Sequence, residues 1–319
     1  MRQSMRHSDL VYATASRPSA AISSPIAASW IRCLDVHHLA PDAARTPLQV
    51  DGEAFRDARD RLEPMIQACA EEFDRLYQSV GRSGCCIVLS DRNGIIIDRR
   101  GAAGDDVEFR KLGLWQQNLW SEASVGTNGI GTALADERSV MVHRDQHFLS
   151  SNISLSCATA PIRDHVGQIA GALDISTCRD DVTDLTLAML SQAVRDTAGK
   201  LETTLFRMAF PAARIVMVPM APVSSVALLA VDQHDMIVGA TKAARIALKI
   251  DDARIRQGVP AADALREEHH GAVADLVEAE RAALRRALSR SNGNVSQTAV
   301  ALGISRATLH RKLKRLSIQ

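Results

Sequence analysis

Apolar residues recur at helical spacing from Ala54 to Tyr77, where Phe55, Leu62, Ile66, Phe73 and Leu76 mark one face of a long amphipathic helix. Earlier helical signals begin at Ile26 and Trp30. The period then changes. Cys86-Ile-Val-Leu89 and Ile95-Ile-Ile97, separated by the turn Asp91-Arg-Asn-Gly94, predict a β-hairpin. Ser139–His143 and Gly167–Ile175 predict further strands, with helical or irregular segments between Ile97 and Val140. Helices and strands mixed in this way predict an α+β domain of sensory size over about residues 60–178.

From Asp181 to Met208 there is no proline and one glycine, Gly199. Leu187, Leu190, Val194, Leu201 and Met208 recur at near-heptad spacing, with Thr197 and Thr204 where such a seam wants apolar groups. Two readings stay open: a helix packed on its own domain, or one paired with its twin in a homodimer. Pro211 to Pro222 predicts a linker. Beyond it, 226–231 and 236–240 predict a second hairpin, followed by helical Lys242–Leu248, in a small α+β unit with its own core. Residues 1–24 are Ser/Ala/Arg-rich and aperiodic, which predicts a loose tail. The expected order is therefore a tail (1–24), a sensor domain with N-terminal helices (25–180), a connecting helix (181–210), a small unit (220–270) and an all-α C-terminal domain (275–319).

That last segment has the clearest pattern. A helix is expected from about Val277 to Arg290, broken at Ser-Asn-Gly-Asn, with Gly293 as its terminal punctuation. Asn294 is a natural N-cap for a second helix, and Gln297 three residues on suits a capping box. Gly303 allows a sharp turn, Ser305 caps a third helix, and Leu309, Leu313 and Leu316 form its inward stripe. The outward face carries Arg306, Thr308, His310, Arg311, Lys312 and Lys314, a set suited to a major groove. Asn294, Gln297 and Ser305 complete the expected DNA-binding set, with Lys312, Lys314 and Arg315 read as phosphate contacts.

Charge sharpens this picture. The 319-residue chain carries a net +1, but Glu278–Gln319 holds nine Lys/Arg against two Asp/Glu, a local +7 that leaves the remainder at −6. A mildly acidic body with a basic end fits a polyanion partner. No apolar run approaches the ~18 residues of a membrane span, and no apolar stretch follows the two N-terminal arginines, so a cytoplasmic chain without membrane contact is expected. The six cysteines contain no C-x-x-C knuckle and are read as reduced thiols, Cys85 and Cys86 pointing to opposite faces of a strand.

The pattern Glu280-x-x-x-Leu284-x-x-Ala287-Leu288, then Gly293-Asn294, Ala299, Leu302-Gly-Ile-Ser-Arg306 and Thr308-Leu-His-Arg-Lys-Leu-Lys314 resembles the Fis-type helix-turn-helix that closes many sigma-54-dependent activators. It departs at His310, where that pattern usually has Tyr or Arg. Ile26-Ala-Ala-Ser-Trp-Ile-Arg-Cys33, Trp120-Ser-Glu with Gly126-Thr-Asn-Gly-Ile-Gly131, His147-Phe148, Cys157-Ala-Thr-Ala-Pro-Ile162 and Gly171-Ala-Leu-Asp-Ile-Ser176 resemble the sensory region of the acetoin-catabolism activator group. The resemblance implies a GAF-like sensor, a PAS-like unit after it, and dimerisation through the DNA-binding domain. Those activators carry an ATPase domain with a G-x-x-x-x-G-K-[ST] loop and a Gly-Ala-Phe-Thr-Gly-Ala loop, and neither pattern occurs in these residues.

Trp120, Glu122, Thr127, Asn128, His143, His147 and Cys157 are the expected ligand-binding side chains. Metal-capable groups occur among them, but only His143 and His147 are close in sequence, and no metal or cofactor is expected. No spacing argues nucleophilic catalysis, so the chain is read as a non-enzyme. The expectation is a ligand-responsive regulator acting without ATP hydrolysis. Its partners are double-stranded DNA, a second copy, a small effector and, as a candidate, RNA polymerase. The alternative is a DNA-bending protein with little sequence choice.

Overall fold

The structure, a computed structural model, describes residues 6–17, 19–81, 84–219, 226–265 and 274–318. They fall into two compact units, Met1–Ala261 and Ala262–Gln319.

The first unit opens with α1 (His7–Ala15), α2 (Ala20–Ser23) and α3 (Pro25–Asp35), then β1 (Leu48–Gln49) and the long α4 (Gly52–Val80). There follow β2 (Cys85–Asp91), β3 (Ile96–Arg100), α5 (Asp106–Lys111), β4 (Asn118–Leu119), α6 (Glu122–Val125) and α7 (Gly129–Asp136). Then come β5 (Val140–His143), β6 (Ser156–Arg163), β7 (Ile169–Thr177) and α8 (Asp184–Ala209). Five strands form one antiparallel sheet in the order β3-β2-β7-β6-β5, while β1 pairs with β4 apart from it.

Every residue of β2 is buried, as in a strand covered on both faces. Alternation sends Cys85, Ile87 and Leu89 into a core with Phe73 and Leu76 of α4 and Leu190 and Val194 of α8. Cys86 and Val88 face the opposite core, with Trp30 of α3, Trp120 and Ile130 of α7. The Asp91–Gly94 turn is tied by its own aspartate. Asp91 Oδ1 accepts from the backbone N–H of Asn93 at 2.9 Å and of Ile95 at 2.8 Å, and Gly94 takes φ +90°.

Three expectations need correcting. Residues 1–24, expected as a loose tail, carry α1 and α2. Val11 of α1 is wholly buried in a core with Trp30 and Cys33, and the His7 ring packs edge-on to Trp30. One buried valine and one ring anchor a segment whose composition has no amphipathic period. The expected linker 211–222 contains a strand, β8 (Arg214–Met217), at the edge of a three-stranded sheet β10-β9-β8 with β9 (Leu228–Val231) and β10 (Ile237–Ala240). Prolines beside a short edge strand cost it no ladder bond, so they do not mark its absence. On one face, the core of this sheet is also not its own. Leu228 and Ala230 pack with Phe206 at the end of α8.

Of the two readings for α8, the described contacts are those of a helix packed on its own domain: Leu187, Leu190, Val194, Ala198 and Leu201 are buried beside α4 and the sheet. After β10 come α9 (Lys242–Leu248), α10 (Asp252–Gln257) and α11 (Ala261–Leu265). The expected end of the small unit, 266–270, lies outside the described residues.

The second unit has α12 (Ala274–Arg290), α13 (Val295–Ala301) and α14 (Arg306–Arg315) around Leu284, Ala299, Leu309 and Leu316. Asn294 Oδ1 accepts from the N–H of Gln297 at 3.1 Å, and Ser305 Oγ from that of Thr308 at 3.0 Å. Gly303 takes φ +65° between α13 and α14, a conformation that strains residues with a Cβ.

Candidate functional site

In the second unit the Leu309 stripe is buried, which turns Arg306, His310, Arg311 and Lys314 of α14 outward, all exposed. Thr308 is half-buried, its hydroxyl 2.8 Å from Ser305 Oγ, while Asn294 and Gln297 are exposed at the start of α13. Lys312 departs from the expected open phosphate contact. Its ammonium and the Arg315 guanidinium both meet the carboxylate of Glu280 on α12, whose pKa is lowered chiefly because Lys312 donates to it. The sequence pattern contains Glu280 without revealing this role, since the three residues join only when α12 and α14 pack. Arg281 donates to the Leu316 carbonyl at 3.2 Å.

In the first unit the expected ligand-binding residues lie in a packed interior. Glu122, whose side chain is 3% exposed, accepts from Arg32 at 2.9 and 2.8 Å and from Ser29 Oγ at 2.5 Å. Ser29 Oγ lies 2.7 Å from Thr127 Oγ1. Asn128 caps α7, with Oδ1 accepting from Gly131 N–H at 2.8 Å and Nδ2 donating to the Gly126 carbonyl at 2.8 Å. Trp120 is buried, its Nε1 donating to the Gly113 carbonyl at 2.8 Å.

A second chain of contacts runs along the sheet. His147 Nε2 stands 3.4 Å from Cys157 Sγ, which lies 3.1 Å from Ser176 Oγ. The Ser176 hydroxyl donates to Asp174 Oδ2 at 2.6 Å, and Thr159 donates to Oδ1 at 2.5 Å. Burial lowers the His147 pKa to about 4 and raises that of Asp174 to about 6. Burial also pushes the Cys157 thiol well above its usual range, the opposite of an activated nucleophile. His143 is half-buried at the end of β5, with Nδ1 2.8 Å from Ser156 Oγ.

Glu122 and Thr127 thus belong to one hydrogen-bonded string and His147 and Cys157 to another, while Trp120, Asn128 and His143 bond separately to Gly113, to the backbone of Gly126 and Gly131, and to Ser156. Two concave surfaces lie elsewhere. One is framed by Arg45, Arg110 and Lys111, and another by Glu137, Arg163, Glu202 and Lys242. Sequence reasoning missed Ser29, Arg32, Asp174 and Glu202. The first three stand in the quoted motifs, but only packing shows that they carry the polar interior. Among the described residues, no three His, Cys, Asp or Glu side chains are placed to hold a metal ion, and no helix is long and apolar enough to cross a membrane.

The family model described as MimR, N-terminal domain, matches residues 2–200, more than half of the chain. The chain belongs to this family. A second model, of the Fis family of bacterial regulatory proteins, matches 276–316 and so covers most of α12 to α14. Family relatives include the acetoin catabolism regulatory protein of Cupriavidus necator, 30% identical over 225 residues, which covers 69% of this chain and 34% of that protein. The propane 2-monooxygenase operon transcriptional activator MimR of Mycolicibacterium smegmatis is 30% identical over 178 residues, 54% of this chain and 28% of that protein. The chain thus spans about a third of the length of these relatives. Among solved structures, the crystal structure of the E. coli DhaR(N)-DhaL complex matches with TM-score 0.52 and 17% identity, over 71% of this chain and 77% of that one, a likeness of fold.

Proposed function

We propose that the protein is a ligand-responsive, sequence-specific DNA-binding transcription regulator that acts without hydrolysing ATP. The observation that carries this reading is the α13–Gly303–α14 arrangement. It buries Leu309 and turns Arg306, His310, Arg311 and Lys314 out from one helix. A helix so presented lays its first residues on base edges and its later cations on phosphates. Arg306 is the base reader, Lys314 a phosphate contact, and Asn294, Gln297, Ser305, Thr308 and Lys312 border the same surface.

The five-stranded antiparallel sheet with helices on both faces supports a GAF-like sensor, and β8–β10 with α9 a PAS-like unit. The protein works as a cytoplasmic homodimer on double-stranded DNA, with half-sites about one helical turn apart. A small effector tunes operator affinity, RNA polymerase is the partner downstream, and no membrane is involved. ATP has no part in this scheme, since the chain contains no G-x-x-x-x-G-K-[ST] loop to cradle its phosphates.

The test is footprinting on promoter DNA, followed by operator affinity with and without ATP. A few protected palindromes and an affinity indifferent to ATP are expected. Diffuse protection overturns sequence specificity, and ATP-stimulated binding overturns the ATP-free mechanism.

A further inference from the structure

Most of the side chains expected to hold an effector are buried and hydrogen-bonded within the interior, which leaves the open clefts to receive one. One cleft, of about 880 Å³, runs between residues 45–49 and the segment from Arg110 to Ser124. Its cations are Arg45, Arg110 and Lys111, and no carboxylate lines it. Arg32, Arg99, Arg100, Arg138, Arg163, Arg179 and Lys242 each meet an Asp or Glu, whereas Arg45, Arg110 and Lys111 have no acidic partner among the described residues. Three cations around one concavity, in a body that is acidic overall, repel one another unless an anion joins them.

The cleft is also preorganised. The Arg110 guanidinium stacks on Trp115, 3.9 Å from the ring centroid, and Arg99 lies 4.3 Å from the same ring. Stacking fixes the plane of the guanidinium without consuming its donors, the arrangement suited to carboxylate or phosphate oxygens. The wall opposite is rigid as well. Gly113 has φ +73°, a Cβ there would stand 2.8 Å from Pro47 Cδ, and its carbonyl accepts from both Asn118 and Trp120. Thr46, Ser121 and Ser124 add hydroxyl groups. Ser121 caps α6, whose first residue, Glu122, holds Arg32 and Ser29. An anion seated here therefore lies one residue from the polar interior.

We propose that the cleft framed by Arg45, Arg110 and Lys111 binds a small dianion, a dicarboxylate or a phosphate, and is the effector site of the sensor. This rests on the ligand-responsive reading above and gives its ligand a chemical class. The guanidinium of Arg110 takes two anion oxygens, and Arg45 and Lys111 neutralise the remaining charge.

The test is a thermal-shift and calorimetric titration of the full chain with succinate and with inorganic phosphate, each against sodium chloride at matched ionic strength. Saturable binding by at least one is expected, and the stronger arm distinguishes carboxylate from phosphate. Arg110→Gln and, independently, Arg45→Gln should weaken it by about tenfold or more. Arg45 lies in an exposed loop, which keeps the test open if Arg110→Gln misfolds. The cleft is overturned if neither anion binds saturably, or if binding survives both substitutions and so belongs to the basic α14. Operator affinity measured with the bound anion tests the assignment as effector site. Anion binding that leaves the affinity unchanged overturns that assignment alone. Failure of the chain to bind any operator overturns the regulator reading and leaves the cleft as it stands.

Discussion

Arg32 on α3 and Glu122 on α6 meet through two hydrogen bonds, 2.9 and 2.8 Å, across ninety positions of sequence. The same guanidinium reaches Asp136 at the end of α7 at 2.8 Å, so one arginine ties α3 to two helices. The carboxylate is nearly sealed while the guanidinium is one-third exposed. Most of the cost of breaking the pair therefore falls on whatever Glu122 leaves behind. Glu122→Ala leaves Arg32 with Asp136 alone and the Ser29 hydroxyl with Thr127, and should destabilise the chain by about 1–3 kcal/mol in urea unfolding. A loss below about 1 kcal/mol would show that water replaces the carboxylate freely.

Gly129, the first residue of α7, sits against the floor of the sheet. A Cβ there would stand 2.3 Å from Thr159 Oγ1 and 2.7 Å from Asp174 Oδ1. Gly129→Ala should cost about 1–3 kcal/mol and lower Tm by several degrees. Gly104→Ala, with no atom within 4 Å of the added methyl, is the matched control and should leave Tm nearly unchanged.

Glu202 on α8 gives the fold a pH dependence of unusual sign. Burial raises its pKa from 4.5 to about 7, against the opposing pull of the Arg163 N–H at 2.8 Å and of Arg163 and Lys242. Arg138, Arg195 and Glu137 face the same cleft. The folded state keeps a proton that the unfolded chain loses. This contribution is therefore whole below about pH 4.5 and disappears as pH rises through about 7. Glu202→Gln should remove it and leave the variant more stable than the parent above pH 7, by an amount of order 3 kcal/mol. Unfolding midpoints at pH 5 and pH 8 provide the measurement, and identical pH profiles for parent and variant would refute the assignment. His147 works in the opposite sense. Its pKa is lowered to about 4, so its contribution is present above 6.5 and lost as pH falls through about 4.

On α14 the substitutions should separate by kind. Arg306→Ala should relax sequence choice by about 1–3 kcal/mol of discrimination. Lys314→Ala should weaken all sequences alike and flatten the salt dependence by about one unit of slope. Glu280→Gln should do the reverse, releasing Lys312 and Arg315 to phosphates and steepening the slope by up to about two units. Filter binding from low to moderate salt reads all three. An unchanged slope for Glu280→Gln would mean that the two cations already serve the DNA.

Local signals in the sequence determined the elements whose physics is local. The Asp91–Gly94 turn is tied by its own aspartate, the caps Asn294 and Ser305 bond three residues ahead, and the alternation of Cys85 and Cys86 follows from the pleat. The C-terminal helices were legible for the same reason: a leucine stripe, two caps and a turning glycine lie within forty-odd residues. Tertiary structure alone decided what depends on distant partners. Val11 of the supposed tail finds a core supplied from elsewhere in the chain, and β8 exists because β9 offers it a ladder. Glu122 and Thr127, spaced like pocket residues, are closed off by Ser29 and Arg32 from α3. Side chains of the right type show that polar chemistry is present. Whether they face a ligand or one another depends on which elements pack over them, and no spacing along the chain records that.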